Sequence, residues 1–144
     1  EKLHVSTLRL KVSLVQSLLL LVIKEIRHRL NKHMATLSSH LLNSVNGTHA
    51  SGVKVIINQI SASGEKKIFL ETETDSGGRI LKDFELSKDD CNCDYEMIYK
   101  TADYFSEKKI VSEITIKFRM DDPKKKYHLP IIISPNGYSI WWSR

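Results

Sequence analysis

From Met34 onward, apolar and polar residues alternate with a period of two. Val53, Val55 and Ile57 alternate with Lys54, Ile56 and Asn58. Tyr95, Met97 and Tyr99 alternate with Glu96, Ile98 and Lys100, and Ile114, Ile116, Phe118 and Met120 with Thr115, Lys117 and Arg119. Each series predicts a strand with one buried face. Turn signals separate them at Asn46-Gly47, Ser51-Gly52, Ser63-Gly64, Ser76-Gly77-Gly78, Asp89-Asp90 and Asn136-Gly137. Seven or eight short strands punctuated in this way predict an all-β, antiparallel sandwich of about a hundred residues. Thr101 to Lys109 breaks the alternation and predicts one short helix, with Tyr104 and Phe105 pinned to a sheet. Tyr138, Ile140 and Trp142 against Ser139, Trp141 and Ser143 predict a last, aromatic strand. A strand apolar on both faces is a hazard when exposed, so a subunit interface is expected there.

The first 33 residues follow a different pattern. Val12 to Ile23 is mostly apolar and follows Arg9 and Lys11, as in the first two parts of a secretory signal. Lys24-Glu25-Ile26-Arg27-His28-Arg29 stands where small cleavage-site residues belong, and the apolar run is too short to span a bilayer. A basic amphipathic helix on a membrane surface or partner is one reading. We expect residues 1–33 to be a helical extension outside the chemistry of the body, residues 34–144 to be the functional domain, and Met34 to be an alternative native start.

Charge supports that division. Residues 1–33 hold seven Lys/Arg and two Glu, whereas residues 34–144 hold fifteen of each sign. The basic balance therefore belongs to the extension, and the body makes no case for nucleic acid. Lys124-Lys125-Lys126, after Asp121-Asp122-Pro123, is expected as a solvated hairpin tip. Cys91 and Cys93, at a spacing that rarely suits a disulfide, are expected as free thiols; two thiols also make a weak zinc site.

Three strong polar groups stand in strand or strand-entry contexts: His40 in LSSHLLN, Arg79 in GGRIL and His128 in KYHLPIII. A single strand histidine is more often a satisfied structural residue than a catalyst, and Arg79 alone suits a surface charge. The three are far apart in sequence, and only folding can bring them together.

A resemblance links them. LSSHLLNSVNGTHASGVKV resembles the opening of the transthyretin-like 5-hydroxyisourate hydrolases, L-S-T-H-V-L-D followed by G-x-P-A-x-G-V. TDSGGR is similar to their T-N-x-D-G-R, and YHLPIIISPNGYS to their H-Y-H-V-P-L-L-L-S-P-x-G-Y-S. DYEMIYKTADYF matches a strand followed by a helix carrying an aromatic pair. The resemblance covers residues 36–144. It implies a seven- or eight-stranded sandwich assembled as a homotetramer, with active sites in a channel between dimers. It also implies hydrolysis of 5-hydroxyisourate, a product of urate oxidation, without metal or organic cofactor, in the cytoplasm or peroxisome. The family's two histidines and arginine fall on His40, His128 and Arg79.

Ring opening at an amide-like carbonyl needs an activated water and a stabilised oxyanion. A neutral imidazole can take the water's proton near neutrality. We assign that role to His128, with His40 orienting the water or delivering a proton to the leaving nitrogen. Arg79 offers a rigid fork of donors to the substrate's carbonyl oxygens. The family's tail, Tyr-Arg-Gly-Ser, is replaced by Trp141-Trp142-Ser143-Arg144. Trp141 keeps an aromatic ring for the planar substrate, and Arg144 offers a guanidinium from a shifted position. The D-G-R turn becomes Gly77-Gly78-Arg79, without the carboxylate that would position the arginine, and Ser112 replaces a proline ahead of the Ile114 strand. The competing reading is a non-catalytic carrier of a small apolar ligand, favoured by the two tail tryptophans. A secreted module is a third; Asn46-Gly47-Thr48 would then be a glycosylation site.

Overall fold

A computed structural model describes residues 2–31, 34–106 and 110–142. The chain divides into two compact units, Glu1–His33 and Met34–Arg144. The first is a single helix, α1 (Lys2–Asn31), whose sequence contains neither Gly nor Pro and is rich in Leu, as a long helix requires. Its Val12, Leu14, Val15, Leu18 to Ile23 and Ile26 side chains are all exposed. No described helix is long and apolar enough to cross a membrane.

The second unit is a sandwich of two sheets. Its strands are β1 (Ala35–Asn43), β2 (Thr48–His49), β3 (Lys54–Ile60), β4 (Lys66–Glu73), β5 (Arg79–Phe84), β6 (Asp94–Tyr99), β7 (Ile114–Arg119), β8 (Lys126–Ser134) and β9 (Gly137–Ile140). One sheet runs β2-β1-β8-β9, with β5 also paired to β1; the other runs β4-β3-β6-β7. The expected antiparallel sandwich is therefore present, with one exception: β1 and β8 pair in parallel. Chain order explains it, because β7 closes one sheet and β8 enters the other.

The inward positions of the alternating series form the core. Val53, Val55, Ile57, Tyr95, Met97, Tyr99, Ile114 and Met120 are buried, with Leu37, Leu41, Ile131 and Ile133 facing them from the first sheet. Each such aliphatic side chain stabilises the fold by about 1.5–3 kcal/mol. One polar link crosses the core. Ser39 Oγ donates to the Leu129 carbonyl at 2.7 Å, and lies 2.8 Å from the Tyr99 hydroxyl of the other sheet. With its own hydrogen committed, Ser39 accepts from Tyr99. Burial pushes the Tyr99 phenol well up from its ordinary value, so it remains a donor.

Several local expectations meet a different outcome. The last strand stops at Ile140, so Trp141 and Trp142 lie outside it. Where a short helix over Thr101 to Lys109 is expected, residues 101–104 make a hydrogen-bonded turn, Phe105 N–H to the Thr101 carbonyl at 3.4 Å, and residues 107–109 lie outside the described residues. The aromatic pair there is anchored: Phe105 is buried, and the Tyr104 hydroxyl accepts from Asn43 Nδ2 at 3.2 Å. Lys124 and Lys125 lie on the connection between the two sheets rather than on a hairpin, because β7 and β8 do not pair. Cys91 falls within a short 3-10 helix, Asp90–Asn92, with Cys93 just after it, and both are free thiols.

Glu96 faces outward from β6 yet is only 2 % exposed. Its cross-strand neighbours Asn58 and Lys117 flank it, and it accepts from Asn58 Nδ2 at 2.9 Å and from Lys66 Nζ at 3.0 Å. The Asn58 bond, then the Lys66 bond, holds its carboxyl below the ordinary value. A carboxylate with a depressed folded-state pKa contributes stability above its unfolded value and loses it as pH falls through the folded one. We expect Glu96→Ala to cost about 1–3 kcal/mol at neutral pH. The gap from the parent should narrow towards pH 3 in denaturant titrations; a gap unchanged across that range would remove the ion-pair account.

Candidate functional site

Alternation along β1 buries Ala35, Leu37, Ser39, Leu41 and Asn43 and turns Thr36, Ser38, His40 and Leu42 to the outer face. Register then brings distant residues beside them. His40 pairs with Arg79 of β5 on one side and stands level with Pro130 of β8 on the other. One row away, Ser38 lies between Leu81 of β5 and His128 of β8. In the opposite direction, Leu42 pairs with His49 of β2. Two imidazoles and a guanidinium separated by long stretches of sequence thus meet on one sheet face, joined by a third imidazole.

Arg79 is placed by the turn that precedes it. Asp75 Oδ1 accepts from the Gly77 N–H at 2.9 Å and from the Arg79 N–H at 2.8 Å, while the Asp75 N–H donates to the Arg79 carbonyl at 3.0 Å. A carboxylate therefore does fix this turn. It comes from four residues upstream, acting on the backbone, rather than from the position of Gly77, where the D-G-R motif has its carboxylate. Gly78 has a positive φ of 67°, and a Cβ there would stand 2.5 Å from the Leu41 carbonyl oxygen. Only glycine meets both demands. The close approach lets the Leu41 N–H donate to the Gly78 carbonyl at 2.8 Å, binding the turn to the residue after His40.

His128 is held through Nδ1, 2.8 Å from Ser38 Oγ. Ser38 Oγ also lies 3.4 Å from the Tyr127 carbonyl, which can only accept. The arrangement that satisfies all three groups has His128 Nδ1–H donating to Ser38 and Ser38 donating to Tyr127, which leaves the His128 Nε2 lone pair free.

His40 is more crowded. Its Nε2 is 3.0 Å from His49 Nδ1, with ring centroids 5.1 Å apart. Burial, then the Arg79 charge, then His49, and last His128 push its pKa below the ordinary imidazole value, opposed by a hydrogen bond to the Gly77 backbone. His40 therefore stays neutral to lower pH than a free imidazole. Among the described residues, no group of three or more His, Cys, Asp or Glu is placed to hold a metal ion.

The tail divides. The Trp141 N–H donates to the Pro130 carbonyl at 3.4 Å, continuing the β8–β9 ladder and bringing Trp141 to the row of Pro130 and His40. Trp142 instead packs against Tyr127, with ring centroids 5.8 Å apart, beneath Lys125. Ser143 and Arg144, including the guanidinium expected of the latter, lie outside the described residues. Sequence reading gave no role to Ser38, His49 or Asp75. Short polar residues in loops and strands carry no periodic signal, and only the strand register reveals them.

Comparison with known proteins agrees with this architecture. A 5-hydroxyisourate hydrolase of Salmonella dublin is 34% identical over 108 residues, covering 73% of this chain and 78% of that protein. The structure of the Klebsiella pneumoniae 5-hydroxyisourate hydrolase superposes with a TM-score of 0.64 at 26% identity, over 77% of this chain and 100% of that one. Transthyretin from Sparus aurata shares the fold, with a TM-score of 0.65 at 20% identity over 74% of this chain and 95% of that one. Residues 37–142 match the HIUase/Transthyretin family, and the chain belongs to it.

Proposed function

We propose that this protein hydrolyses 5-hydroxyisourate to 2-oxo-4-hydroxy-4-carboxy-5-ureidoimidazoline, a step of urate breakdown. Family membership and the named relatives support the substrate. The observation that carries the reading is the placement of His40 and Arg79 opposite one another, with His128 one row away on the same face.

In this reading the His128 Nε2 lone pair takes a proton from water, and the resulting hydroxide adds to the ring carbonyl. Arg79 pairs with the oxygen on which charge develops, at a point fixed by its Asp75-clamped backbone. The ring C–N bond then breaks, and the leaving nitrogen takes a proton supplied from the His40 side. Trp141 offers a flat apolar surface to the planar substrate.

An open face is a poor place for this chemistry, because bulk water weakens every electrostatic contact. Leu81 lies in the same row as Ser38 and His128 and is 68% exposed. Strands β7 and β9 stand at the ends of their sheets. We therefore propose a homotetramer in which copies join through strand edges and cover the site face in pairs.

Four outcomes test these statements. With 5-hydroxyisourate generated by urate oxidase and followed in the ultraviolet, the protein should accelerate decay above the spontaneous rate; equal rates would leave the carrier reading in its place. Arg79→Lys keeps the charge and loses the fork, so kcat/KM should fall roughly a hundredfold; near-parent turnover would dismiss the assigned role. The same substitution keeps His40's neighbour charged, whereas Arg79→Gln removes a cation that lowers its pKa. NMR titration of the His40 ring should therefore show a midpoint below about 6.5 in the parent, moving upward in Arg79→Gln. Finally, Leu81→Glu should leave the far-ultraviolet circular dichroism unchanged while sedimentation shows the tetramer dissociating. A tetramer intact in that variant would place the interface elsewhere.

A further inference from the structure

In the hydrolase reading a proton must reach the leaving nitrogen from the His40 side, yet both nitrogens of His40 are already engaged. Nε2 faces His49 Nδ1 at 3.0 Å, and the remaining nitrogen, Nδ1, is the one left for the hydrogen bond to Gly77. The backbone group that favours a protonated ring is a carbonyl, which can only accept. Nδ1 of His40 therefore carries its hydrogen, and in the neutral ring Nε2 must be the lone pair. His49 Nδ1 must then be the donor across the 3.0 Å gap. By elimination the unengaged basic nitrogen of the pair is His49 Nε2, on an exposed residue of a two-residue strand.

We propose that His49 is a catalytic residue of this protein: it is the outer member of a two-imidazole relay, and the proton given to the leaving nitrogen passes through His49 Nε2. His40 acts behind it as the positioning residue, its own orientation fixed by the Gly77 carbonyl. This rests on the hydrolase reading. The proton balance is closed by solvent. The pair takes up one proton at His49 Nε2 while the Nδ1–H to His40 Nε2 bond holds. As the ring C–N bond breaks, its electron pair takes that proton and the relay returns to neutral. The proton lost by the attacking water resides on His128 and returns to solvent, so the net change is the addition of one water. The charges that act on His40 are those of Arg79 of β5, His49 and His128 of β8, and the Asp75 carboxylate lies in the turn that holds Arg79. Asp83 and Lys126 stand two rows further along, and Asp83 is tied to Thr36 at 2.6 Å.

His49→Asn and His49→Ala separate a relay from a spacer. An Asn amide N–H can still donate to His40 Nε2 but cannot carry the proton. Both variants should lose kcat by about a hundredfold with KM within about twofold, and added imidazole should restore a share of the rate in His49→Ala. Parent-like kcat in His49→Asn, or no imidazole response in His49→Ala, overturns the relay while the hydrolase reading stands. A second measurement does not depend on turnover. Ring 15N shifts should show Nδ1–H tautomers for both His40 and His49 in the parent, and removal of His49 should move the His40 titration midpoint. Independent titrations, or an Nε2–H tautomer at His40, would refute the pair even if the parent protein proved inactive on 5-hydroxyisourate.

Discussion

The parallel pairing of β1 with β8 is the constraint on which the site depends. Because side chains alternate along a strand, a slip of one residue would send His40 or His128 into the core and Ser39 or Leu129 out of it. The register is fixed from inside. Ser39 donates to the Leu129 carbonyl of β8 and accepts from Tyr99 of the opposite sheet, and all three residues are buried. Any other register leaves a buried hydroxyl or carbonyl without a partner, at a cost of about 1–3 kcal/mol each. The outer face thus inherits its geometry from a polar contact on the inner face. His40 faces outward because its neighbour Ser39 is held inward by these bonds.

The second constraint is the approach of the Gly77-Gly78 turn to β1. Gly78 allows its carbonyl to accept from Leu41, and Asp75 closes the turn from the other side. These bonds bring the Gly77 carbonyl to His40 and set Arg79 opposite it. Arginine and imidazole so close would normally repel once the imidazole charged. Burial and, after it, this repulsion keep His40 neutral where a free imidazole would begin to protonate.

How far the sequence could be read follows from how apolar each inward face is. Around Val53 to Ile57, Tyr95 to Tyr99 and Ile114 to Met120 the inward residues are large and apolar, and alternation alone locates the strands. In β1 the same inward face includes Ser39 and Asn43, both buried and hydrogen-bonded, so the alternation is damped although the strand is central. β4 has the opposite problem: at the end of its sheet it exposes Ile68 on a run without clear period. The candidate residues His40, Arg79 and His128 are legible through motif resemblance, while their convergence is not, because register depends on buried hydroxyls and one glycine. His49 had no sequence signal, as the strand that delivers it is two residues long.

The tail shows why a final strand cannot be inferred from aromatic alternation alone. Pro130 has no N–H to give, and the β8–β9 ladder proper begins at Ile131. Only the Pro130 carbonyl continues it, through a single bond from Trp141. Past that point the chain is free to turn, and Trp142 goes to Tyr127 and Lys125 instead of extending the sheet. The same proline stands level with His40, so the residue that ends the strand also sets the floor between His40 and Trp141. A sheet interior that tolerates proline must have a neighbour that asks nothing of its nitrogen. Here that neighbour is the end of β9, and the gap in the ladder falls in the row shared by His40 and Trp141.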